Sequence, residues 1–132
     1  MPAKILIVED DHVIAQMYGF KLRHCGYEVR LAANGQEGLV LAESFMPQII
    51  LLDLSMPIMN GDKMLEKMRS TAWGSSIKII VLTNISKSEA PMSLRLLGVD
   101  RYLVKAHHTP GQVVEVVQEV LIRHSSQKNL LQ

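Results

Sequence analysis

The stretch PQIILLDLSMPIMNG, residues Pro47 to Gly61, decides how the rest of the chain is read. Ile49, Ile50, Leu51 and Leu52 make an unbroken apolar run of strand length, bounded by Pro47 before it and by Pro57 and Gly61 after it. That is the pattern of a strand covered on both faces. Asp53 closes the run. A carboxylate at the C-terminal edge of a central parallel strand stands in the crevice where open α/β sheets hold their ligands. An Asp after a strand also commonly just starts a turn or caps a helix, so its chemistry depends on what else reaches the same edge.

Outward from this stretch, strand-like runs alternate with helix-period segments, with no repeat, low-complexity tract or linker. Toward the N-terminus, Lys4 to Val8 (KILIV) reads as the first strand, followed at once by Glu9, Asp10 and Asp11. Val13, Met17 and Phe20, with Ile14 and Cys25 alongside, predict one face of a helix closed by Gly26. Tyr27 to Ala32 alternates as a more exposed strand, Asn34-Gly35 is a turn, and Gln36 to Phe45 is a short helix carrying Leu39, Leu41 and Ala42. Toward the C-terminus, Gly61 to Arg69 is a helix with Met64, Leu65 and Met68 on one side, and Ile77 to Leu82 is a strand ending in Thr83 and Asn84. SKSEAP then opens an expected helix through Leu94, Leu96 and Leu97, stopped by Gly98. Arg101 to Val104 is a short strand ending at Lys105, and a last helix runs from Pro110 to about Arg123 with Val113, Val117 and Val120 on one face.

Five βα units imply a parallel sheet with helices on both faces, which brings every strand's C-terminal end to one rim. Glu9 and Asp10 stand there after the first strand, Asp53 after the third, Thr83 after the fourth and Lys105 after the fifth. Clustered carboxylates repel one another, and one lysine does not balance three of them. A hard divalent ion of the Mg2+ type, held by a few carboxylates and waters with positions left for phosphate oxygens, suits this donor set. Lys105 and the Thr83 hydroxyl offer donors to the remaining oxygens of a phosphoryl group, and Asp53 is placed as the nucleophile of an aspartyl phosphate. The bland alternative is a solvated acidic rim with Lys105 as an ordinary ion pair.

Composition narrows the classes further. At 132 residues, 48% hydrophobic and 20% charged, the chain is one globular domain, and a net charge of +1 gives no electrostatic case for nucleic acid or membrane. The N-terminal apolar run is broken by acids after a few residues, so it reads as neither signal peptide nor membrane span, and a cytoplasmic location is expected. Cys25, the single cysteine, is expected to be a buried, inert thiol. The five histidines lack the spacing that aims two rings at one ion and are expected at the surface or in loops. The methionines around the third helix, Met56, Met59, Met64 and Met68, read as adaptable packing, and Trp73 is assigned no role.

These residues resemble the receiver domains of two-component response regulators over nearly the whole chain. The resemblance is carried by the acidic pair Glu9 and Asp10, by Asp53 within DLSMPIMNG, by Thr83 and by Lys105, with 30 residues from Asp53 to Thr83 and 52 from Asp53 to Lys105. It implies a flavodoxin-like (βα)5 doubly wound sheet in the order 2-1-3-4-5, with residues 1–125 as the receiver domain and 126–132 as a polar tail. It implies Mg2+ held directly by Asp10, Asp53 and the backbone carbonyl of Ser55, with Glu9 acting through water, and phosphoryl transfer to Asp53 from a partner histidine kinase or phosphotransfer protein. Tyr102 matches the family's switch aromatic, which moves with Thr83 and alters the face made by the fourth helix, fifth strand and fifth helix.

Some positions depart from the family pattern. Ala106 stands where Pro usually follows the lysine, so a trans bond is expected there. Asn84 is larger and more polar than the usual small residue. Ile85 and Ser55 occupy the positions that tune water access, and a bulky Ile85 cannot orient an attacking water, so slow self-dephosphorylation is expected. The function expected is a non-enzymatic phosphoacceptor, a whole single-domain protein acting as a monomer or weak dimer on an unknown downstream protein. The alternative is a phosphorylation-independent interaction module of the same fold. A phosphatase with an aspartyl nucleophile would need a second carboxylate two residues on, where Ser55 stands.

Overall fold

The computed structural model describes residues 2 to 130, with side chains through residue 123. Five parallel strands, β1 (Lys4–Val8), β2 (Glu28–Ala32), β3 (Ile49–Leu52), β4 (Lys78–Thr83) and β5 (Arg101–Val104), lie in the order β2-β1-β3-β4-β5. Four α-helices connect or follow them: α1 (His12–His24), α2 (Gly35–Phe45), α3 (Gly61–Arg69) and α4 (Pro110–Leu130). All four residues of β3 are buried, as an unbroken apolar run between two helical layers requires. Alternate strand residues feed two cores. Leu6, Val8, Leu52, Ile79 and Val81 pack with Ala42 and Phe45 of α2 and Met64, Leu65 and Met68 of α3. Ile5, Ile7, Leu51, Ile80 and Leu82 pack with Ala15, Tyr18 and Leu22 of α1 and Val113, Val117 and Val120 of α4.

The fourth helix expected from sequence does not form. Between β4 and β5 the chain makes two short 3-10 turns, Lys87–Glu89 and Met92–Leu96. Pro91 explains the break. It has no N–H to donate, and it drives Ala90 into extended backbone (φ −65°, ψ 149°), which ends the first turn. The chain left between Pro91 and Gly98, itself at φ 69°, is too short to repay α-helix nucleation.

Two expectations about α1 are also corrected. Val13 and Phe20 are 78% and 71% exposed, and the buried face is Ala15, Tyr18, Gly19 and Leu22. The sequence carries two apolar stripes at helical spacing, and the one with Ala15 and Gly19 lets the helix approach the sheet closely. Cys25 is exposed rather than buried, because it caps α1 where the helix ends at the surface before Gly26. The last helix continues to Leu130, past the expected end near Arg123 and into the segment read as a tail; residues 131–132 lie outside the described residues.

The loop between β3 and α3 is closed on itself and tied to the start of α2 by backbone bonds. Gly61 N donates to Leu54 O at 3.0 Å, and Gly35 N donates to Met59 O at 2.9 Å. A Cβ on Gly61 would collide with the Asp53 carbonyl oxygen, which is backbone and cannot move aside. Gly61→Ala is therefore expected to cost about 1–3 kcal/mol in urea unfolding, by forcing this loop off β3. An unchanged midpoint would show that the loop is not held there.

Candidate functional site

The rim at the C-terminal ends of the strands collects the ionisable residues. Val8 pairs with Leu52 in the β1/β3 register, so Glu9 and Asp53 leave the sheet side by side. Thr83 pairs with Val104, which puts Lys105 one residue beyond Thr83 on the same edge. Asp11 turns away from the cluster to cap α1, its Oδ1 accepting from Val13 N at 3.0 Å and Ile14 N at 3.1 Å. That cap fixes where α1 starts and leaves Asp10, exposed, facing the crevice mouth.

Lys105 ties the cluster together. Its Nζ donates to both Glu9 oxygens, at 2.8 and 3.0 Å, and to Asp53 Oδ2 at 3.0 Å. The other Asp53 oxygen accepts from Leu54 N at 2.7 Å and lies 3.4 Å from Ser55 N. Glu9 and Asp53 are 5% and 7% exposed, so these are interior charges. Thr83 is buried at the same edge, and its hydroxyl oxygen lies 3.4 Å from Ile85 N.

The electrostatics follow from this geometry. Burial raises the Glu9 carboxyl, and its hydrogen bond with Asp53 raises it further, to about 7. Burial would raise Asp53 too, but hydrogen bonds with Glu9, Thr83 and Lys105 outweigh it and hold its carboxyl below the ordinary value. For Lys105, burial alone would weaken the ammonium, while its bonds to Glu9 and Asp53 win and hold it above the ordinary lysine value. Glu9, Asp10 and Asp53 each bring a carboxylate oxygen to within 4.8 Å of the others. Oxygen donors at that spacing around one lysine fit a hard divalent cation.

The structure thus brings Glu9, Asp10, Asp53, Thr83 and Lys105 to one crevice, and Ser55 borders it through its backbone. Sequence reasoning passed over Tyr18 of α1, which is buried beneath Glu9 and Asp53 and closes the floor of the site with Ile14 and Leu51. Its aromatic ring at core spacing was the available signal. Tyr102 stands apart from the carboxylates, with its hydroxyl donating to Ile85 O at 2.7 Å and lying 3.4 Å from Ser86 O. No cis peptide bond occurs among the described residues, so the bond before Ala106 is trans as expected, and Lys105 still reaches both acids across a 3-10 turn (Lys105–His107). His12, His24 and His107 are exposed and His108 half-buried, as surface or loop histidines should be; the side chain of His124 lies outside the described residues.

Where the fourth helix is missing, an open groove of about 490 Å³ runs beside β5, lined by Lys87, Met92, Leu94, Arg95, Arg101 and Tyr102. Among the described residues, no helix is long and apolar enough to cross a membrane.

Two outcomes test the site. Lys105→Met is expected to lower stability without divalent ions by about 2 kcal/mol at pH 8, because it leaves buried carboxylates unbalanced, and by less at pH 6, where Glu9 takes up a proton. The same change should tighten Mg2+ binding by removing a competing cation. In the wild-type protein, a proton held by Glu9 below about pH 7 removes one negative charge from the cluster. Calorimetric Mg2+ titrations are therefore expected to show affinity rising with pH through this range and levelling above it, and Glu9→Gln should flatten the rise.

Comparison with known proteins bears on the family and the fold. The family model described as "Response regulator receiver domain" matches residues 5–118. The response regulator MprA of Mycolicibacterium vanbaalenii is 39% identical over 106 residues, covering 80% of this chain and 45% of that protein. The response regulator ArlR of Staphylococcus saprophyticus is 34% identical over 130 residues, covering 97% and 56% respectively. The chain thus spans about half the length of the curated relatives it matches. Among solved structures, a CheY-like response regulator receiver domain protein from Methanospirillum hungatei superposes with a TM-score of 0.88 at 30% identity, covering 96% of this chain and 99% of the other. The chemotaxis response regulator CheY4 of Vibrio cholerae gives 0.82 at 31% identity, covering 91% and 99%.

Proposed function

Because the chain belongs to the response regulator receiver domain family, a phosphoacceptor signalling domain of two-component systems, we propose that Asp53 is its phosphoacceptor. The observation that carries this is the Lys105 ammonium, bonded at once to Asp53 and Glu9 with Asp10 close by, from three separate strand ends. In this reading an Asp53 oxygen bonds to phosphorus as the donor's N–P bond breaks, and the electron pair leaves with the donor's imidazole nitrogen, which is then protonated. The donor is a histidine kinase or a phosphotransfer protein. Glu9, Asp10, Asp53 and the Ser55 carbonyl would hold Mg2+, which when bound supplies charge neutralisation for the transferring group. Lys105 leaves its ground-state bond to pair with a phosphoryl oxygen, and the Thr83 hydroxyl donates to another. The chain catalyses only its own phosphorylation and slow dephosphorylation, and it acts in the cytoplasm as a module of residues 1–125.

Tyr102 supports a way for the signal to leave the site. Its hydroxyl bonds to the backbone just beyond Thr83, and its ring lines the groove beside β5. Movement of Thr83 toward a phosphoryl group pulls on the segment that Tyr102 holds, so the groove differs between the two states as a switch requires. The downstream partner binds at this face.

Incubation with Mg2+ and a small phosphodonor, followed by intact mass, is expected to show the gain of one phosphoryl group in the wild-type protein and none in Asp53→Asn. No gain with the fold intact would favour the phosphorylation-independent module. The adduct is expected to outlast seconds by a wide margin, since half-buried Ile85 offers no polar group to a hydrolytic water. Tyr102→Ala should still take up the phosphoryl group while losing phosphorylation-dependent partner binding.

A further inference from the structure

We infer that Tyr18 of α1 is a positioning residue for phosphoryl transfer, its hydroxyl taking over the Glu9 carboxylate when Lys105 leaves it for the phosphoryl group. The inference rests on Asp53 as phosphoacceptor.

Strand alternation puts these groups on one side of the sheet. Ile5, Ile7 and Leu51 face the layer of α1 and α4, and strand side chains two residues apart share a face. The backbone ladder continues past the strand ends, Glu9 N donating to Ala32 O at 2.9 Å and Asp53 N to Val8 O at 3.0 Å. Glu9 and Asp53 therefore stand on that same face, and Lys105 follows Leu103 onto it to bind both. Tyr18 comes up from below. α1 starts at the rim where β1 ends, and a helical side chain leans toward the N-terminus of its helix, so the phenol points back toward the cluster.

The hydroxyl is placed as an unused donor. Tyr18 is 5% exposed, and none of the described residues hydrogen-bonds its hydroxyl. No enclosed side-chain polar atom among them lacks a partner, so this hydroxyl borders open space rather than packed atoms. Beside it lies a gap of about 10 Å³, the room of a single water, which Tyr18 shares with Glu9 and Asp53 among apolar side chains. Of the side chains lining that gap, only Tyr18 can donate to an ionised carboxylate. Burial raises the phenol above its ordinary value, and the charges that act on it are Lys105, which lowers it, and Glu9, which raises it. The rest of the buried face of α1 is Ala15, Gly19 and Leu22. Phenylalanine would fill the Tyr18 position equally well without the cost of desolvating a hydroxyl.

Lys105 accounts for the donor being idle at rest. Its ammonium has three N–H groups and directs them to two Glu9 oxygens and one Asp53 oxygen, at 2.8, 3.0 and 3.0 Å. Once Lys105 pairs with a phosphoryl oxygen, Glu9 is a buried carboxylate with Tyr18 as the donor facing it across the gap. A buried carboxylate without a donor is costly, and that cost opposes the transfer. A hydrogen bond from the Tyr18 hydroxyl, direct or through one water, offsets it.

Two measurements on Tyr18→Phe test this. At pH 8 without divalent ions, the change is expected to leave the thermal midpoint of the wild-type background unchanged or raised, because Lys105 holds Glu9 there. In the Lys105→Met background, where Glu9 has only the hydroxyl, it is expected to lower the midpoint by about 5 °C. In labelling by phosphoramidate at saturating Mg2+, Tyr18→Phe is expected to lower the maximal rate about tenfold, with the half-saturating phosphoramidate concentration unchanged because the donor does not reach Tyr18. Equal midpoint shifts in the two backgrounds, zero included, would reveal a packing role alone and overturn the inference. So would an unchanged maximal rate, or a loss carried by the half-saturating concentration. Should Lys105→Met not fold, the labelling rates decide. Failure of phosphoramidate to label the wild-type protein would instead overturn Asp53 as acceptor, with the midpoint comparison still reporting on the Tyr18 hydroxyl.

Discussion

Three carboxylates gathered at one edge of a sheet repel one another, and the rim is organised around containing that repulsion. Two of them, Glu9 and Asp53, are almost fully buried, where a charge without a partner is costly. A single ammonium, Lys105, spans both. It comes from the far end of the sheet order and reaches the central strands only because all five strands run parallel and end at the same level. The raised Glu9 carboxyl and the lowered Asp53 carboxyl follow from the same arrangement: burial wins at one, while donated hydrogen bonds win at the other. The site is thus poised between a proton, a lysine and a divalent ion as the means of balancing its charge.

The scaffold beneath makes this tolerable. β3 is buried on both faces and paired on both edges, so Asp53 leaves a strand that cannot shift without disturbing two cores. Backbone N–H groups at Leu54 and Ser55 turn back onto its carboxylate, and Gly61 lets the returning chain pass within reach of the Asp53 carbonyl. The same loop turns Ile58 outward to solvent, 77% exposed. Rigidity below and exposure above therefore arise from one loop.

The other side of the sheet is built more loosely. With 3-10 turns in place of a helix between β4 and β5, the face of β5 that carries Tyr102 is left beside an open groove, while Leu103 packs on the other face with α4. Tyr102 bridges from β5 to the backbone carbonyl of Ile85, two residues after Thr83. Lys87, Arg95 and Arg101 give that groove a basic lining. A segment with few buried residues and short-range hydrogen bonds is also the part of a domain most easily rearranged.

Much of this was legible in the residues alone. Parallel strands fall on apolar runs because burial on both faces demands them, and strand ends fall where those runs stop, so Glu9, Asp10, Asp53, Thr83 and Lys105 could be placed on one rim before any coordinates. Position along the chain was enough for that, because a parallel sheet converts sequence order into spatial level. What the tertiary structure decided were the matters of competition. α1 carries two apolar stripes, and only packing against the sheet selected Ala15, Tyr18 and Leu22 over Val13 and Phe20. The leucines after Pro91 have helical spacing, yet the proline and Gly98 leave too short a stretch for a helix to form. Cys25 shares helical spacing with Tyr18 and Leu22 in sequence but stands exposed at a helix end in space. The bond from Lys105 to Glu9 as well as Asp53, and the outward Ile58, likewise depend on side-chain geometry that spacing does not encode. Local pattern and topology follow from the order of the residues, whereas the choice among rival contacts is settled only when all the elements are packed together.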